Sequence, residues 1–376
     1  MIERKNAFTS ICENVLNKGQ AMISMKDIAG LCGVSEAAVS KALRGKAGVG
    51  EKLRERIQSI ARQYNYIPNA LVQGIQNGCT RTIGIISGNE YEDAFAGRIS
   101  RGVDKALFAA GFSALIVHLR ADSSADREVK LIRNFAERRV DGLLVVGARP
   151  DSPALLNELR RFYGPVTLVD QPAPGDEFDF VGSDDIPGAR AAAEHLIALG
   201  CRGIAFCGVL GVSTGRNRLE GFRAAMAAHG LPVRADWIWN VDAACPYDIA
   251  RESLSREDRP DAVLCFNDFC ALDVMAAAYD LGLKVPEQLS VTGFADLPLS
   301  TQTRPALTTV SQDAEEMGRV AAELLLRRIR EKGAGKSSPP EKILLPTKLI
   351  VRGSTATYES EKSSYPSSFS IISAGQ

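Results

Sequence analysis

The 376-residue sequence has no run approaching the ~20 consecutive apolar residues that a membrane-spanning helix needs. Its first stretch, Met1–Met22, is mixed and polar. No apolar segment follows its basic residues, so it does not read as a secretory leader. The expectation is a protein that stays in the cytoplasm and has no membrane partner. Metal and disulfide signatures are missing too. The eight cysteines (Cys12, Cys32, Cys79, Cys201, Cys207, Cys245, Cys265 and Cys270) include no CxxC pair. Several lie in apolar runs such as Ile204-Ala205-Phe206-Cys207 and Val263-Leu264-Cys265-Phe266, where a free thiol packs as a small apolar side chain. Histidine is scarce: His118, His195 and His229 stand far apart, which argues against a zinc site, and no cofactor is implied. Net charge is zero, which at first speaks against nucleic acid.

That neutrality conceals an uneven distribution. Between Ile23 and Thr80 eight Lys/Arg face four acids, a local net of +4, and local charge is what a phosphate backbone meets. Apolar residues make up 45% and charged residues 24% of the chain, enough for a sizeable core. The length suits one small and one large domain, or two to three domains.

Three short helices read out of the basic segment. Ser24 can cap the first, with Asp27 three residues on as a short-armed capping box. Ile28, Ala29, Leu31 and Cys32 form its apolar face, and Gly33 ends it. Ser35 caps a second helix, Glu36–Leu43, which turns Val39, Ala42 and Leu43 inward and leaves Glu36, Ala37, Ser40 and Lys41 outward. A third runs from Glu51 to about Tyr64 along Leu53, Ile57, Ile60 and Ala61. Two helices joined by a glycine turn, the second small and polar outside, form the helix-turn-helix pattern. A plain structural bundle is the other reading of these residues. Asn65-Tyr66-Ile67-Pro68-Asn69 then signals a stop and restart, followed by a short weak helix, Ala70–Gln76, too short to be stable alone.

From Arg81 the texture becomes alternating strands and helices. Strand candidates are Thr82–Ser87, Phe112–His118, Gly142–Gly147, Val166–Val169, Gly203–Gly208, Ala262–Phe266 and Leu289–Gly293. Helical stretches between them include Gly97–Ala110, Asp126–Arg138, Ile186–Leu199, Arg218–Ala228 and Phe269–Leu281. This alternation predicts parallel sheets covered on both faces, and the size favours two subdomains around a cleft. The final strands, Ile343–Leu345 and Lys348–Val351, are expected as a pair. A Ser-rich tail, 358–376, has little to bury and is expected to be disordered. Gly211-Val212-Ser213-Thr214-Gly215 matches a nucleophile elbow in letters. The one later histidine, His229, leaves no room for a triad, and the loop lacks a P-loop's Lys-Ser/Thr. An enzyme is therefore not expected.

At this point the chain resembles the lactose/galactose repressor family. Ile23-Ser24-Met25-Lys26-Asp27-Ile28-Ala29, Gly33-Val34-Ser35 and Val39-Ser40 are similar to its DNA-reading headpiece. Asn65-Tyr66-Ile67-Pro68-Asn69-Ala70 is similar to its hinge junction. Arg218-Leu219-Glu220-Gly221-Phe222, Phe266-Asn267-Asp268, Val285-Pro286-Glu287, Pro305-Ala306-Leu307-Thr308-Thr309-Val310 and the closing Leu345–Thr355 segment follow in the family's order. The implied fold is a small all-α helix-turn-helix domain followed by an α/β core of two Rossmann-like subdomains, periplasmic-binding-protein-like. The expected domains are an extension at 1–22, the helix-turn-helix at 23–68, a hinge at 69–80 and the core at 81–357. Within the core, subdomain one covers about 81–182 and 311–340, and subdomain two about 183–310 and 341–357. Residues 1–22 lie before the family's usual start, so Met22 and Met25 both stay open as initiators.

The resemblance implies a homodimer on near-palindromic double-stranded operator DNA. A tetramer would need a further assembly segment, and the tail shows no leucine heptad. The helix Glu36–Leu43 would enter the major groove. Glu36 there could accept from a cytosine amino group or simply complement its helix dipole, and Ala37 could touch a thymine methyl. Ser35, Ser40, Lys41, Arg44 and Lys46 suit phosphate. Tyr66 and Asn69 belong to the hinge junction, and Ile75 matches the minor-groove wedge. Leu71, where the family carries a basic residue, and Gly74 are departures.

A small-molecule effector is implied in the cleft, with Asp170, Arg218, Asn267, Asp268, Ala295 and Gln312 at matching positions. Arg218 reads either as a clamp for an anion or as an ion pair with an acid such as Glu220 or Asp268. Asp268 reads as ligand or helix cap. Sugar-responsive relatives carry an acid where Ala295 stands and an aromatic residue where Ala314 stands. These losses favour a sugar acid or sugar phosphate, with a neutral sugar next and a nucleobase or a protein as further alternatives. The implied function is a repressor whose operator affinity the effector controls, with an activator as the alternative. An exported solute-binding protein would share the core, but the basic headpiece and the absent leader argue against it.

Overall fold

The computed structural model describes residues 23–68, 74, 78–88, 94–119, 125–147 and 153–357. It divides into two compact units, one ending at Thr80 and the next beginning at Arg81. The expected extension, Asn69, Ile75 with most of the hinge helix, and the Ser-rich tail lie outside the described residues.

In the first unit α1 spans Met25–Cys32, α2 Glu36–Leu43 and α3 Glu51–Gln63. Both arms of the capping box are present: Asp27 N–H donates to Ser24 Oγ, and Ser24 N–H donates to Asp27 Oδ2 at 2.9 Å. Gly33 ends α1 at φ +67°, a left-handed conformation that costs glycine little. Ser35 caps α2 by accepting from Ala38 N–H at 3.3 Å. Ile28, Val39, Ala42 and Ile57 are fully buried where the three helices meet.

The second unit holds two six-stranded sheets. The first combines β1 (Thr82–Ser87), β2 (Ser113–His118), β3 (Gly142–Val146), β4 (Val166–Val169), β5 (Asp179–Ser183) and β11 (Lys342–Leu345), in the order β11-β5-β4-β3-β1-β2. All of its pairings are parallel. The second combines β6 (Ile204–Gly208), β7 (Ile238–Asn240), β8 (Ala262–Cys265), β9 (Ser290–Ala295), β10 (Thr308–Gln312) and β12 (Thr347–Ile350), in the order β12-β10-β9-β8-β6-β7. Only β12 runs antiparallel there, against β10.

Helices cover both faces of each sheet, because a parallel sheet connected by crossovers must be buried on both sides. On the first sheet α4 (Ala94–Ala109) and α11 (Ala314–Gly333) pack one face, α5 (Ala125–Glu137) and α6 (Pro153–Arg161) the other. On the second, α7 (Asp185–Ala198) and α8 (Ser213–Ala228) oppose α9 (Pro246–Leu254) and α10 (Asp268–Asp280). Cys201, Cys207, Cys265 and Cys270 are buried as core side chains, while Cys245 is exposed.

The chain passes between the sheets at 183–185, 312–314 and 345–347. The third passage corrects the sequence reading. Residues 341–345, expected in subdomain two as half of a strand pair, instead join the first sheet beside β5. Phe180 N–H donates to Glu341 O and Asp184 N–H to Leu345 O, so the edge of β5 is paired rather than bare. Pro346, which lacks an N–H, occupies the step between the sheets. Strands β5, β7 and β10 and helices α6, α9 and α11 were not read from the sequence.

Helices α4 and α11 approach closely at two glycines. A Cβ on Gly102 would lie 1.8 Å from Glu315 O, and one on Gly318 would lie 2.0 Å from Ile99 O. Both obstacles are backbone, which cannot swing aside. Gly102→Ala is therefore expected to destabilise the core by about 2 kcal/mol, read as a lowered midpoint in urea denaturation. An unchanged midpoint would mean that the helices separate without cost.

Candidate functional site

The outward row of α2 carries Glu36, Ala37 and Lys41, all exposed, with Ser35 at its start and Arg44 and Lys46 just past its end. Glu36 in the first turn and Lys41 in the last both complement the helix dipole. Two of the expected phosphate contacts are engaged with each other. Arg44 Nε donates to Ser40 O at 3.2 Å and its Nη2 to Ser40 Oγ, and Ser40 is half-buried. Tyr66 is half-buried, its phenol pushed up by burial and then by the charge of Glu36.

In the second unit every expected effector residue falls at the carboxyl end of a strand or in the helix that follows, where open α/β sheets bind ligands. Asp170 follows β4, Arg218 lies in α8, Asn267 and Asp268 open α10, and Ala295 and Gln312 end β9 and β10. Their surroundings differ from what the sequence suggested.

Arg218 is 4% exposed and fully engaged. Its Nε and Nη2 donate to Asp185 Oδ1 at 3.0 and 2.9 Å, and its Nη1 to Phe266 O at 2.6 Å. The guanidinium stacks 3.8 Å from the Phe294 ring centroid and 4.6 Å from that of Phe266. An ion pair was one of the two readings, but the acid is Asp185, not Glu220 or Asp268. This arginine is not a free clamp for an anion. Burial pushes the Asp185 carboxyl up, and the Arg218 charge opposes the shift.

Asp268 is fully buried. Thr309 Oγ1 donates to its Oδ1 at 2.5 Å and Leu297 N–H to its Oδ2 at 2.7 Å. These bonds favour the carboxylate, yet desolvation outweighs them and raises the pKa to about 6. The cap of α10 is Asn267, which accepts from Cys270 N–H at 2.8 Å and stays half-buried. Asp268 instead ties α10 to the ends of β9 and β10. Gln312 is also consumed, donating to Ser183 Oγ at 2.5 Å between the two sheets. Ala295 is buried against the first sheet's core at φ +111°, and Asp296 follows at φ +51°. Ala314 is fully buried in that same core cluster.

Asp170, half-buried at φ +70°, and Asn267 remain as partly accessible polar groups at these edges. Residues missed in the sequence stand beside them. Gln171 Nε2 donates to Thr214 Oγ1 at 2.9 Å and Ser213 Oγ donates to Gln171 Oε1 at 3.0 Å, linking the end of β4 to the start of α8. A polar residue within two positions of a strand's end was the available signal for Gln171, and an acid in a helix's first turn the one for Asp185. Ser213 therefore serves a bridge between the sheets. His229 stands at the other end of α8, ~24 Å away by helical rise.

Two outcomes follow. Asp185→Ala leaves a guanidinium buried without its acid, a change expected to cost about 3–5 kcal/mol in denaturant unfolding. For Asp268 the folded pKa lies above the ordinary 3.8, so the folded state takes up the proton first. Its contribution to stability is thus largest below 3.8 and is lost as pH rises through about 6. Relative to Asp268→Asn, the parent protein should gain stability as pH falls through that window. Parallel pH profiles would assign Asp268 an ordinary pKa.

Comparison with known proteins agrees with this architecture. The family model "Bacterial regulatory proteins, lacI family" matches residues 24–69, and "Periplasmic binding protein-like domain" matches 193–355. The HTH-type transcriptional repressor PurR of Aliivibrio salmonicida (strain LFI1238) is 30% identical over 83% of this chain and 93% of its own length. The ribose operon repressor of Escherichia coli (strain K12) is 32% identical over 82% of this chain and 94% of its own. The solved Lac repressor dimer, bound to operator and the anti-inducer ONPF, superposes with a TM-score of 0.78 at 25% identity, covering 89% of this chain and 100% of that one. With its helix-turn-helix unit and two-sheet core, the chain belongs to the lacI family of bacterial transcriptional regulators.

Proposed function

We propose that the protein is a cytoplasmic, homodimeric repressor that grips a near-palindromic operator and is controlled by a small polar effector between its two sheets. The observation that carries the reading is the exposed row of α2 on a basic, self-contained three-helix unit. Laid in a major groove, Glu36 and Ala37 meet base edges, and Ser35, Lys41 and Lys46 meet phosphates. Arg44 and Ser40 join them once Arg44 swings off its own helix. Tyr66 packs at the end of α3, and the resemblance assigns Asn69 to the hinge junction and Ile75 to the minor-groove wedge. The PurR and ribose operon relatives carry "repressor" in their names, and the Lac structure is a dimer on operator, which supports sign, assembly and partner together.

The effector meets Asp170, Asn267 and the Gln171–Ser213 bridge, groups suited to hydroxyls, so its class is a sugar acid, sugar phosphate or sugar. Arg218, Asp268, Gln312 and Ala295 shape the cleft from behind. No covalent chemistry is assigned: Ser213 donates to Gln171, and His229, the one later histidine, stands at the far end of α8.

The test is selection of DNA from a random duplex pool, followed by anisotropy titration at several salt concentrations. An enriched inverted repeat is expected. Lys41→Ala should weaken binding evenly across sequences and reduce the slope of log affinity against log salt by about one. Glu36→Gln should relax preference at one position of each half-site. Failure to enrich any sequence would overturn the reading.

A further inference from the structure

We infer that Arg98 is the anchor for an oxyanion carried by the effector, a carboxylate or phosphate that enters the space between the sheets. This rests on the cleft reading above and adds the chemical class of its ligand.

Arg98 lies in the second turn of α4, the helix that follows the carboxyl end of β1. Its side chain leaves the first sheet and reaches the second. Nη1 donates to Asp296 O at 3.0 Å and contacts Ala295 O at 3.4 Å, just beyond the carboxyl end of β9. An arginine that spans the facing edges of both sheets stands where a ligand between them would lie.

Several other cations of the core unit are neutralised, whereas Arg216, exposed in the first turn of α8, donates to the carbonyl of Leu210 at 3.2 Å. Arg218 is paired with Asp185, Arg352 with Asp296 at 2.6 Å, and Lys105 with Glu315. Arg98 is half-buried; among the described residues no carboxylate lies at ion-pair distance from it, and Glu315, whose charge it feels, is paired directly with Lys105. Its Nε and Nη2 also make no hydrogen bond among the described residues, so two nitrogens of the fork stay available. A guanidinium of this kind matches carboxylate or phosphate in a bidentate geometry, and partial burial strengthens that attraction.

The end of β9 supports the same conclusion. Ala295 sits at φ +111°, a backbone conformation that side chains rarely adopt. Alanine bears this strain and brings no carboxylate to the end of β9. Among the described residues no carboxylate sits at ion-pair distance from this cation, and an effector oxyanion would take that place. Asp170 and the Gln171–Ser213 bridge then serve hydroxyls on the rest of the same molecule.

Thermal unfolding of the full chain tests this with glucose, gluconate, glucuronate, glucose 6-phosphate, ribose and ribose 5-phosphate, and with inorganic phosphate alone. At least one sugar acid or sugar phosphate should raise Tm where its neutral parent does not. Separate acid and phosphate arms say which oxyanion is read. Arg98→Gln should weaken that ligand by ~100-fold, and Arg98→Lys, which keeps charge but not the fork, by less. Arg101→Gln, exposed on the same helix, should bind as the parent does. The inference falls if no anionic compound stabilises the chain, or if the anion's shift persists undiminished in Arg98→Gln. A neutral sugar that stabilises parent and Arg98→Gln alike also overturns it, while leaving the cleft reading intact.

Discussion

The buried pair between Arg218 and Asp185 holds the ligand-facing edge of the second sheet together. Asp185 opens α7 just after the chain leaves the first sheet, and Arg218 projects from α8. The same guanidinium bonds the carbonyl of Phe266 at the end of β8 and stacks on Phe294 of β9. One side chain thus fixes two helices and two strand ends. Removing two charges from water is expensive, and an apolar substitute of equal volume could be as stable. What the ion pair adds is direction. Three of its nitrogens must be satisfied at once, so α7, α8 and the end of β8 can settle in only one mutual arrangement.

Other contacts near this edge extend the same constraint between the sheets. Gln312 meets Ser183 where two of the three passages begin, and Gln171 meets Ser213 and Thr214. Arg98 and Arg352 both bond Asp296 at the positive-φ step Ala295–Asp296, one at its carbonyl and one at its carboxylate. Asp268 closes the set from below by binding Leu297 and Thr309. Most of these bonds join residues more than forty positions apart in the chain. A ligand that exchanges for some of them can shift how the two sheets sit, which is the physical content of control by an effector.

The three-helix unit was legible because its determinants are local. The Ser24–Asp27 box, Gly33 at φ +67° and the Ser35 cap each act within four residues, and the apolar stripes need only a helical period. In the core the strongest strands were found, being short apolar runs. β5, β7 and β10 escaped because polar or short segments become strands only when a neighbour supplies hydrogen bonds. β11 was assigned to the wrong subdomain for the same reason: its four residues could pair with either sheet, and only the open edge of β5 decides.

The sequence alone was sufficient for the family, the order of the units and the surface row of α2, since each rests on contiguous residues. It also pointed to the strand ends where a ligand would lie. Tertiary structure decided what those ends do. It consumed Arg218, Asp268 and Gln312 in internal bonds, and it left Arg98, which no motif marked, half-buried with no carboxylate at ion-pair distance among the described residues. The reason is that charge balance in a cleft depends on side chains far apart in the chain. Which arginine keeps its charge free is set by which acids the fold brings beside the others.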